Sequence, residues 1–243
     1  MNIILLTEQD KTTENVYVVN DNRAEHINKI LKSQKGDIVE IGILNGKTGT
    51  AKITEITDKK VKLKLLNIKE TKTLEPIVDI ICALPRPQTL KKVLNTIATM
   101  GVNNLYLIRS AKVEKSFYQS TLLKKENYTK YLLEGLSQGK RTKPPEVTVH
   151  KKFKLFFENN FTKENENKTK LLADTGTDKF LNKLKIENKK HYIIAIGPEG
   201  GWTDYEIAFM KKYGFITFKL SQNILRVETA VTAALAQLEL INS

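Results

Sequence analysis

The 243-residue sequence contains one cysteine and three histidines, so it has few residues suited to disulfides or metal binding. A single cysteine excludes an intramolecular disulfide and a thiolate metal cluster. His26, His150 and His191 are far apart and show no spacing typical of metal ligands, so we expect no metal site. Cys82 lies inside an apolar run, which predicts a buried core thiol.

Long apolar segments are also missing. The longest, residues 77–84, contains Asp79 and is much shorter than the roughly 20 residues that cross a bilayer, so it predicts a buried strand. Residues 1–9 lack the basic start and long apolar segment of a secretory signal. We therefore expect no membrane span and a cytoplasmic location.

Acidic residues are scarce relative to basic ones, since 40 Lys+Arg against 27 Asp+Glu give a net charge of +13. Residues 1–84 hold 13 basic and 12 acidic side chains, and residues 155–243 hold 12 and 11. Residues 85–154 hold 15 basic and 4 acidic side chains, so the excess lies in the middle of the chain. Such a cluster favours a nucleic-acid partner, because neutralised phosphates release counterions. A solvated lysine-rich surface is the alternative.

Hydrophobic periodicity divides the chain into two parts. The first 75 residues contain short extended segments separated by turn signals, and they predict a small β-barrel with one helix at residues 24–33. Later, strands alternate with helices, including a long helix at residues 119–138, which predicts a mostly parallel sheet covered on both faces. The polar residues 159–170 predict a surface loop. The strands predicted in the second part are residues 76–84, 105–108, 170–173, 191–196 and 215–220.

A glycine-rich loop follows the predicted strand 191–196. Residues 197–201 read Gly-Pro-Glu-Gly-Gly, and Thr203 with Glu206 predicts a capping box for the next helix. The loop lacks the glycine patterns of phosphate-binding loops and carries Glu199, so a neutral or cationic ligand such as S-adenosylmethionine suits it better. A tight structural turn is the alternative.

A second segment joins a predicted strand to the C-terminal helix. Residues 224–230 read Ile-Leu-Arg-Val-Glu-Thr-Ala. Alone, these residues are compatible with apolar packing by Ile224 and Leu225, a surface pair of Arg226 with Glu228, and compensation of the helix dipole by Glu228.

Together the two segments resemble a family signature. Gly-Pro-Glu-Gly-Gly followed about 25 residues later by Ile-Leu-Arg-Val-Glu-Thr-Ala is similar to the motifs of the 16S rRNA uridine-N3 methyltransferases of the small ribosomal subunit, members of the SPOUT class. Arg23 and His26 resemble part of the family's N-terminal helix, and residues 134–141 resemble the end of another. The chain departs from the family at Ser137 and Ser221, where Glu and Gly are usual.

The resemblance implies a fold and an assembly. It implies a PUA-like β-barrel RNA-binding domain at residues 1–72 and a SPOUT methyltransferase domain at residues 73–243. This second domain is α/β, a parallel sheet with a C-terminal deep trefoil knot. The resemblance also implies a homodimer and S-adenosylmethionine as cofactor. The residues that it places at the cofactor are Leu172, Ala173, Asp174, Thr175, Gly197, Pro198, Glu199, Gly200, Gly201, Leu220, Ser221, Ile224, Leu225, Arg226, Thr229 and Ala230.

The implied reaction is methyl transfer to N3 of a uridine, which must first lose its N3 proton. We expect Arg226 to stabilise charge on the base, and Glu228 or Glu199 to accept the proton or orient the base. Expected partners are 16S rRNA and the small ribosomal subunit. A SPOUT methyltransferase of another RNA, such as tRNA, and a non-catalytic RNA-binding or ribosome-assembly protein are the alternatives. The residues expected at RNA are Arg23, His26, Arg86, Lys92, Arg109, Lys140, Arg141 and Lys143.

Overall fold

The computed structural model describes residues 2–71, 76–161, 167–186 and 190–242. The chain divides into two compact units. The first comprises Met1–Thr73 and Leu133–Pro144, and the second comprises Leu74–Leu132 and Pro145–Ser243. The first unit therefore includes a short segment that is distant in sequence from its main part.

Six strands of the first unit form one mixed sheet, in the order β1-β4-β5-β6-β3-β2. The first strand runs parallel to the fourth, and all other neighbours are antiparallel. Within the described residues the two outer strands do not pair, and the sheet is a half-barrel, which fits the small PUA-like β-domain that the resemblance implies. The strands are β1 (Ile4–Leu6), β2 (Lys11–Thr13), β3 (Val16–Val19), β4 (Ile38–Ile43), β5 (Thr48–Thr57) and β6 (Lys60–Lys69).

The helix of this unit is α1 (Asn22–Glu25), which continues as a π-helical turn over His26–Ile30. Asp21 begins it by accepting the backbone N–H of Arg23 at 2.9 Å. Ile27 is fully buried in the same apolar core as strand residues such as Ile41 and Leu63. Burial of this apolar face holds the short helix against the sheet.

The segment Leu133–Pro144 is hydrogen-bonded to the main part of the first unit. The backbone N–H of Ile3 donates to the carbonyl of Ser137 at 3.1 Å, and the Ser137 hydroxyl donates to the carbonyl of Ile3. Thr142 Oγ1 donates to the carbonyl of Gly46 at 2.7 Å. Ser137, which departs from the family pattern, therefore has a structural role in this chain.

Six strands of the second unit form a sheet in the order β12-β10-β11-β7-β8-β9, and every neighbouring pair is parallel. The central strands are buried almost throughout, which agrees with their continuous apolar sequences. The strands are β7 (Ile77–Ala83), β8 (Asn104–Ile108), β9 (Glu146–His150), β10 (Thr169–Ala173), β11 (His191–Ile196) and β12 (Ile216–Phe218).

Five longer helices accompany these strands. The predicted helix at 119–138 begins at Lys125, because 3₁₀ turns occupy the residues before it. The expected loop 159–170 lies partly outside the described residues, and the helix over Phe153–Asn160 was not predicted. Among the described residues, no helix is long and apolar enough to cross a membrane. The helices are α2 (Pro87–Met100), α3 (Lys125–Gln138), α4 (Phe153–Asn160), α5 (Asp204–Lys212) and α6 (Val227–Asn242).

A buried carboxylate lies near the amino ends of the central strands. Asp79 of β7 is fully buried, and its Oδ2 lies 2.6 Å from Nε2 of His191 on β11. Its Oδ1 accepts a hydrogen bond from Asn104 Nδ2 at 2.7 Å, and Lys168 Nζ lies 3.9 Å from Oδ2. Asp79 therefore joins β7, β8 and β11 at the edge opposite their carboxyl ends.

Candidate active site

A cavity of about 230 Å³ lies at the carboxyl ends of β10, β11 and β12, three neighbouring strands. Its walls are residues 173–175 after β10, 196–202 at the end of β11 and beyond, and several residues of the segment 219–230 after β12. Loops from adjacent parallel strands converge at this edge, and ligands of open α/β sheets bind there.

The structure brings together most of the residues expected at a cofactor. Leu172, Arg226 and Thr229 are the expected residues that do not line the cavity. The expected residues that line it are Ala173, Asp174, Thr175, Gly197, Pro198, Glu199, Gly200, Gly201, Leu220, Ser221, Ile224, Leu225 and Ala230. The lining residues that were not expected are Ile196, Trp202, Lys219, Asn223 and Val227. Val227 lies within the second motif, Ile196, Trp202 and Asn223 flank the motifs, and Lys219 directly follows β12.

The glycine loop packs closely against Trp202. A Cβ added to Gly197 would lie 3.1 Å from the indole Nε1, so glycine permits this contact. Trp202 is buried, and its Nε1 has no hydrogen-bond partner within the described residues. Because a buried N–H is costly to leave unpaired, a ligand acceptor in the cavity would suit this position.

Hydrogen bonds fix the C-terminal end of the glycine loop. Thr203 and Glu206 form the predicted capping box at the start of α5. The other Glu206 carboxylate oxygen accepts the backbone N–H of Ala111 at 2.8 Å. Lys112 Nζ donates to the carbonyl of Gly200 at 2.8 Å. The loop after β8 therefore holds the loop after β11 in place.

The two candidate carboxylates have different surroundings. Glu199 lies in the cavity wall, with Oε1 3.5 Å from Nε of Arg86, and both side chains are well exposed. Glu228, on the first turn of α6, lies outside the cavity lining and accepts a hydrogen bond from Lys92 Nζ at 3.1 Å. Burial opposes the charge of Glu228, but backbone hydrogen bonding and Lys92 together lower its pKa. A lowered pKa makes Glu228 a weak proton acceptor.

Arg226 is exposed and directly precedes α6, at the end of the segment that lines the cavity. Its carbonyl accepts the backbone N–H of Ala230 at 2.8 Å, which fixes the backbone at this position. The positive charge of Arg226 also contributes to the lowered pKa of Glu228. Arg226 therefore lies between two residues that line the cavity, Leu225 and Val227, without lining it itself.

Cys82, at the end of β7, is buried, and burial raises its thiol pKa to about 12. A thiol with so high a pKa is not a nucleophile at neutral pH. Within the described ranges, no group of three or more His, Cys, Asp or Glu side chains is arranged to hold a metal ion.

The residues that we expect to contact RNA lie in both units. Arg86 and Lys92 form the contacts with Glu199 and Glu228 given above, and Arg109 is exposed. In the first unit, Lys143 is exposed, whereas burial lowers the pKa of the half-buried Arg141.

Arg23 holds two carboxylates of the first unit. Its guanidinium donates to both oxygens of the buried Asp10 at 2.7 Å, to Asp21, and to the carbonyl of Leu5 at 2.6 Å. These bonds engage its donors inside the unit, so the structure assigns Arg23 a structural role. An RNA contact by Arg23 or by His26 of the same helix stays a prediction.

We expect Arg23→Met to lower the free energy of unfolding by about 2 kcal/mol, because it leaves the Asp10 carboxylate buried without its cation.

The hydrogen bond from Arg23 lowers the Asp21 pKa below 3.8, so Asp21 stabilises the native state above that pH and less as pH falls. In the Arg23→Met variant, the loss of native-state stability that Asp21 causes at low pH should be absent. Urea unfolding at several pH values measures both effects. Lys29→Met, which breaks the exposed pair with Glu25, is the control, and an equally small loss in both variants would contradict the structural role.

Comparison with known proteins agrees with the fold and identifies the family. The family model of an RNA methyltransferase domain matches residues 73–239, and that of an RNA methyltransferase PUA domain matches residues 19–66. Ribosomal RNA small subunit methyltransferase E 1 of Borreliella burgdorferi is 30% identical, with 96% of this chain and 95% of the relative covered. Ribosomal RNA small subunit methyltransferase E of Treponema pallidum is 31% identical, with 97% and 90% covered.

Solved structures show the same fold. The ribosomal RNA small subunit methyltransferase E of Neisseria gonorrhoeae, bound to S-adenosyl methionine, aligns with a TM-score of 0.78 at 20% identity over 98% of both chains. A Legionella pneumophila protein described as a methyltransferase, in complex with the same cofactor, aligns with a TM-score of 0.76 at 19% identity over 99% of this chain and 98% of that one.

Because the RNA methyltransferase model matches more than half of the chain, the protein is an RNA methyltransferase of the SPOUT class, and its half-barrel, parallel sheet and loop-lined cavity agree with that class. The predicted parallel α/β sheet and small PUA-like domain are confirmed by the structural alignments and by the PUA model. The C-terminal knot stays a prediction. Within this class, the chain belongs to the family of ribosomal RNA small subunit methyltransferase E.

Proposed function

We propose that this protein transfers the methyl group of S-adenosylmethionine to N3 of a uridine in 16S rRNA of the small ribosomal subunit. The observation that carries the proposal is the convergence of both family motifs on one cavity. That geometry, in a chain about 30% identical to named small-subunit rRNA methyltransferases over nearly its whole length, supports the reaction class and the substrate.

The chemistry of the cavity suits this cofactor. Leu220, Ile224 and Leu225 offer apolar surface for the adenine, while the backbone of residues 197–201 offers hydrogen-bonding groups. Glu199 supplies a negative charge for a ligand that carries a sulfonium and an ammonium group, and the unpaired Trp202 Nε1 offers a donor. When bound, S-adenosylmethionine supplies an electrophilic methyl group.

For the target base, we propose that Arg226 stabilises the negative charge that develops on the uracil, and that Glu199 accepts the N3 proton. Negative charge develops on the uracil carbonyls as N3 loses its proton, and an exposed guanidinium beside the cavity is suited to stabilise it. Glu199 lies in the cavity wall, whereas Glu228 is paired with Lys92 and has a lowered pKa. Glu228 then acts as a positioning residue at the start of α6.

We also propose a division into domains, an oligomeric state and a location for this protein. Residues 1–72 form the RNA-binding domain and residues 73–243 the methyltransferase domain, and the protein acts as a cytoplasmic homodimer. The match of a PUA model to residues 19–66 and of a methyltransferase model to residues 73–239 supports this division. The contacts expected of Arg86, Lys92 and Arg109 with RNA belong to the same proposal.

Calorimetry and methyl-transfer assays test the proposed function. Purified protein should bind S-adenosylmethionine and transfer labelled methyl groups to small ribosomal subunits that lack the modification. It should transfer none to tRNA. Absence of cofactor affinity would favour the non-catalytic RNA-binding alternative, and labelling of tRNA alone would favour a different substrate.

We expect Gly197→Ala to weaken cofactor binding about ten-fold, because the added methyl group pushes Trp202 toward the cavity and overpacking of this kind costs about 1–3 kcal/mol. Calorimetric titration with S-adenosylmethionine measures the change. Gly46→Ala is the control, since a Cβ there would have its nearest neighbour at 3.5 Å. Equal affinity of both variants would show that the contact between Gly197 and Trp202 does not shape the site.

A further inference from the structure

A groove of about 720 Å³ lies on the first unit and is formed by residues of β4, β5 and β6 together with Lys140. It contains no residue of either family motif. The side chains that give it a chemical character are the aliphatic Leu66 and Ile68, the amide Asn67, the ammonium groups of Lys69 and Lys140, and the carboxylate Glu40.

A β-bulge forms one wall of the groove. The pairing of β5 with β6 shifts in register between Gly49 and Ala51. A Cβ on Gly49 would lie 1.8 Å from the carbonyl oxygen of Asn67, so the two strands approach closely only because residue 49 is glycine. Beyond the bulge, β6 no longer alternates between buried and exposed, and residues 66–69 are all exposed. The bulge therefore presents both aliphatic and polar side chains on one surface.

Lys140 has a backbone conformation that is unfavourable for lysine. It follows α3 with φ of 52°, in the left-handed region. The N–H of Lys140 bonds to the carbonyl of Ser137, and that of Arg141 bonds to the carbonyl of Leu136, which is the Schellman arrangement. Glycine is usual at the left-handed position of this motif, yet in this chain the glycine is Gly139, one residue earlier.

The contacts of Lys140 within the protein do not explain why a lysine occupies this position. Its Nζ lies 2.6 Å from Glu40 Oε2, but both side chains are nearly half exposed. Ion pairs of this kind contribute little to stability, so they do not compensate for an unfavourable backbone conformation. Lys32 has the same conformation outside the groove, so the side chains that line the groove, and not the backbone strain alone, indicate a ligand.

We propose that this groove binds one unpaired nucleotide of the substrate RNA, with Lys140 and Lys69 at the phosphate, Leu66 and Ile68 against the base, and the Asn67 amide at the base edge. The proposal rests on the proposed function, since it takes RNA as the substrate. Two ammonium groups beside aliphatic surface and an amide match a nucleotide, and an unpaired base exposes both its face and its edge.

The test uses the full-length protein and a fluorescently labelled oligouridine decamer as the probe. Lys140→Gly should reduce affinity for the decamer roughly five-fold at 0.1 M salt and lower the slope of log K against log salt by about 0.7, the value for one phosphate contact of a single strand. It should also raise Tm by about 2–4 °C, because glycine relieves the left-handed strain. Asn67→Ala should weaken binding without changing the salt slope.

Lys32→Gly is the matched control. Lys32 is an exposed lysine of the same unit with φ of 51°, and it lies outside the groove lining. This variant removes the same charge and relieves the same strain, so its Tm should not fall and its RNA affinity should stay at the wild-type value. Equal loss of affinity in both lysine variants, or no binding of the decamer by the wild-type protein, would overturn the proposal. Cofactor affinity, measured in parallel, reports on the proposed function separately and should be the same in the wild-type protein and all three variants.

Discussion

Arg226→Ala should reduce the rate of methyl transfer about 100- to 1,000-fold while cofactor affinity changes little. The magnitude is that of removing one preorganised group that stabilises developing charge. Arg226 is exposed and does not line the cavity, so its loss should leave the cofactor site intact. Single-turnover methylation of small ribosomal subunits and calorimetry with S-adenosylmethionine measure the two quantities.

Arg226→Lys and Lys211→Ala are the controls for the loss of rate in Arg226→Ala. Arg226→Lys keeps the positive charge but loses the planar pair of donors, so it should recover only part of the rate. Lys211→Ala removes an exposed cation of α5 and should have the wild-type rate. Wild-type turnover by Arg226→Ala would show that the charge on the base is stabilised by another group.

Asp79→Ala should lower the free energy of unfolding by about 4 kcal/mol. The substitution leaves His191 and Asn104 without their shared acceptor and opens space in a fully buried part of the sheet. By contrast, Asp178→Ala should leave the free energy of unfolding almost unchanged, because Asp178 is a fully exposed partner of Lys219. Urea denaturation measures both losses. Similar values for the two variants would contradict a role for Asp79 in joining the central strands.

The sequence predicts those parts of the fold that have a strong local pattern. The mostly apolar residues of 191–196 identify β11 with the observed bounds, and the predicted capping box of Thr203 and Glu206 correctly marks the start of α5. Strand β1 has only three residues, too few to show a period, and it is defined by parallel pairing with β4. Helix α4 lies next to a lysine-rich stretch, and its phenylalanines are buried by packing with distant aromatic residues such as Phe209 and Phe215.

For the candidate site, the sequence identifies the two loops but not how their charges are paired. Both motifs lie directly after strands of one sheet, so their convergence follows from topology. The partner of Glu228 is Lys92, 136 residues away, and no local pattern indicates this contact. The count of charges along the chain likewise does not show that Lys140 pairs with Glu40 or that Arg141 is half-buried.

Mass spectrometry of 16S rRNA nucleosides from a strain in which the gene has been deleted tests the central claim most directly. We predict that 3-methyluridine disappears from 16S rRNA in this strain, returns when the wild-type gene is supplied, and stays absent when the Arg226→Ala variant is supplied. Unchanged 3-methyluridine in 16S rRNA after deletion, or its loss from tRNA instead, would contradict the account.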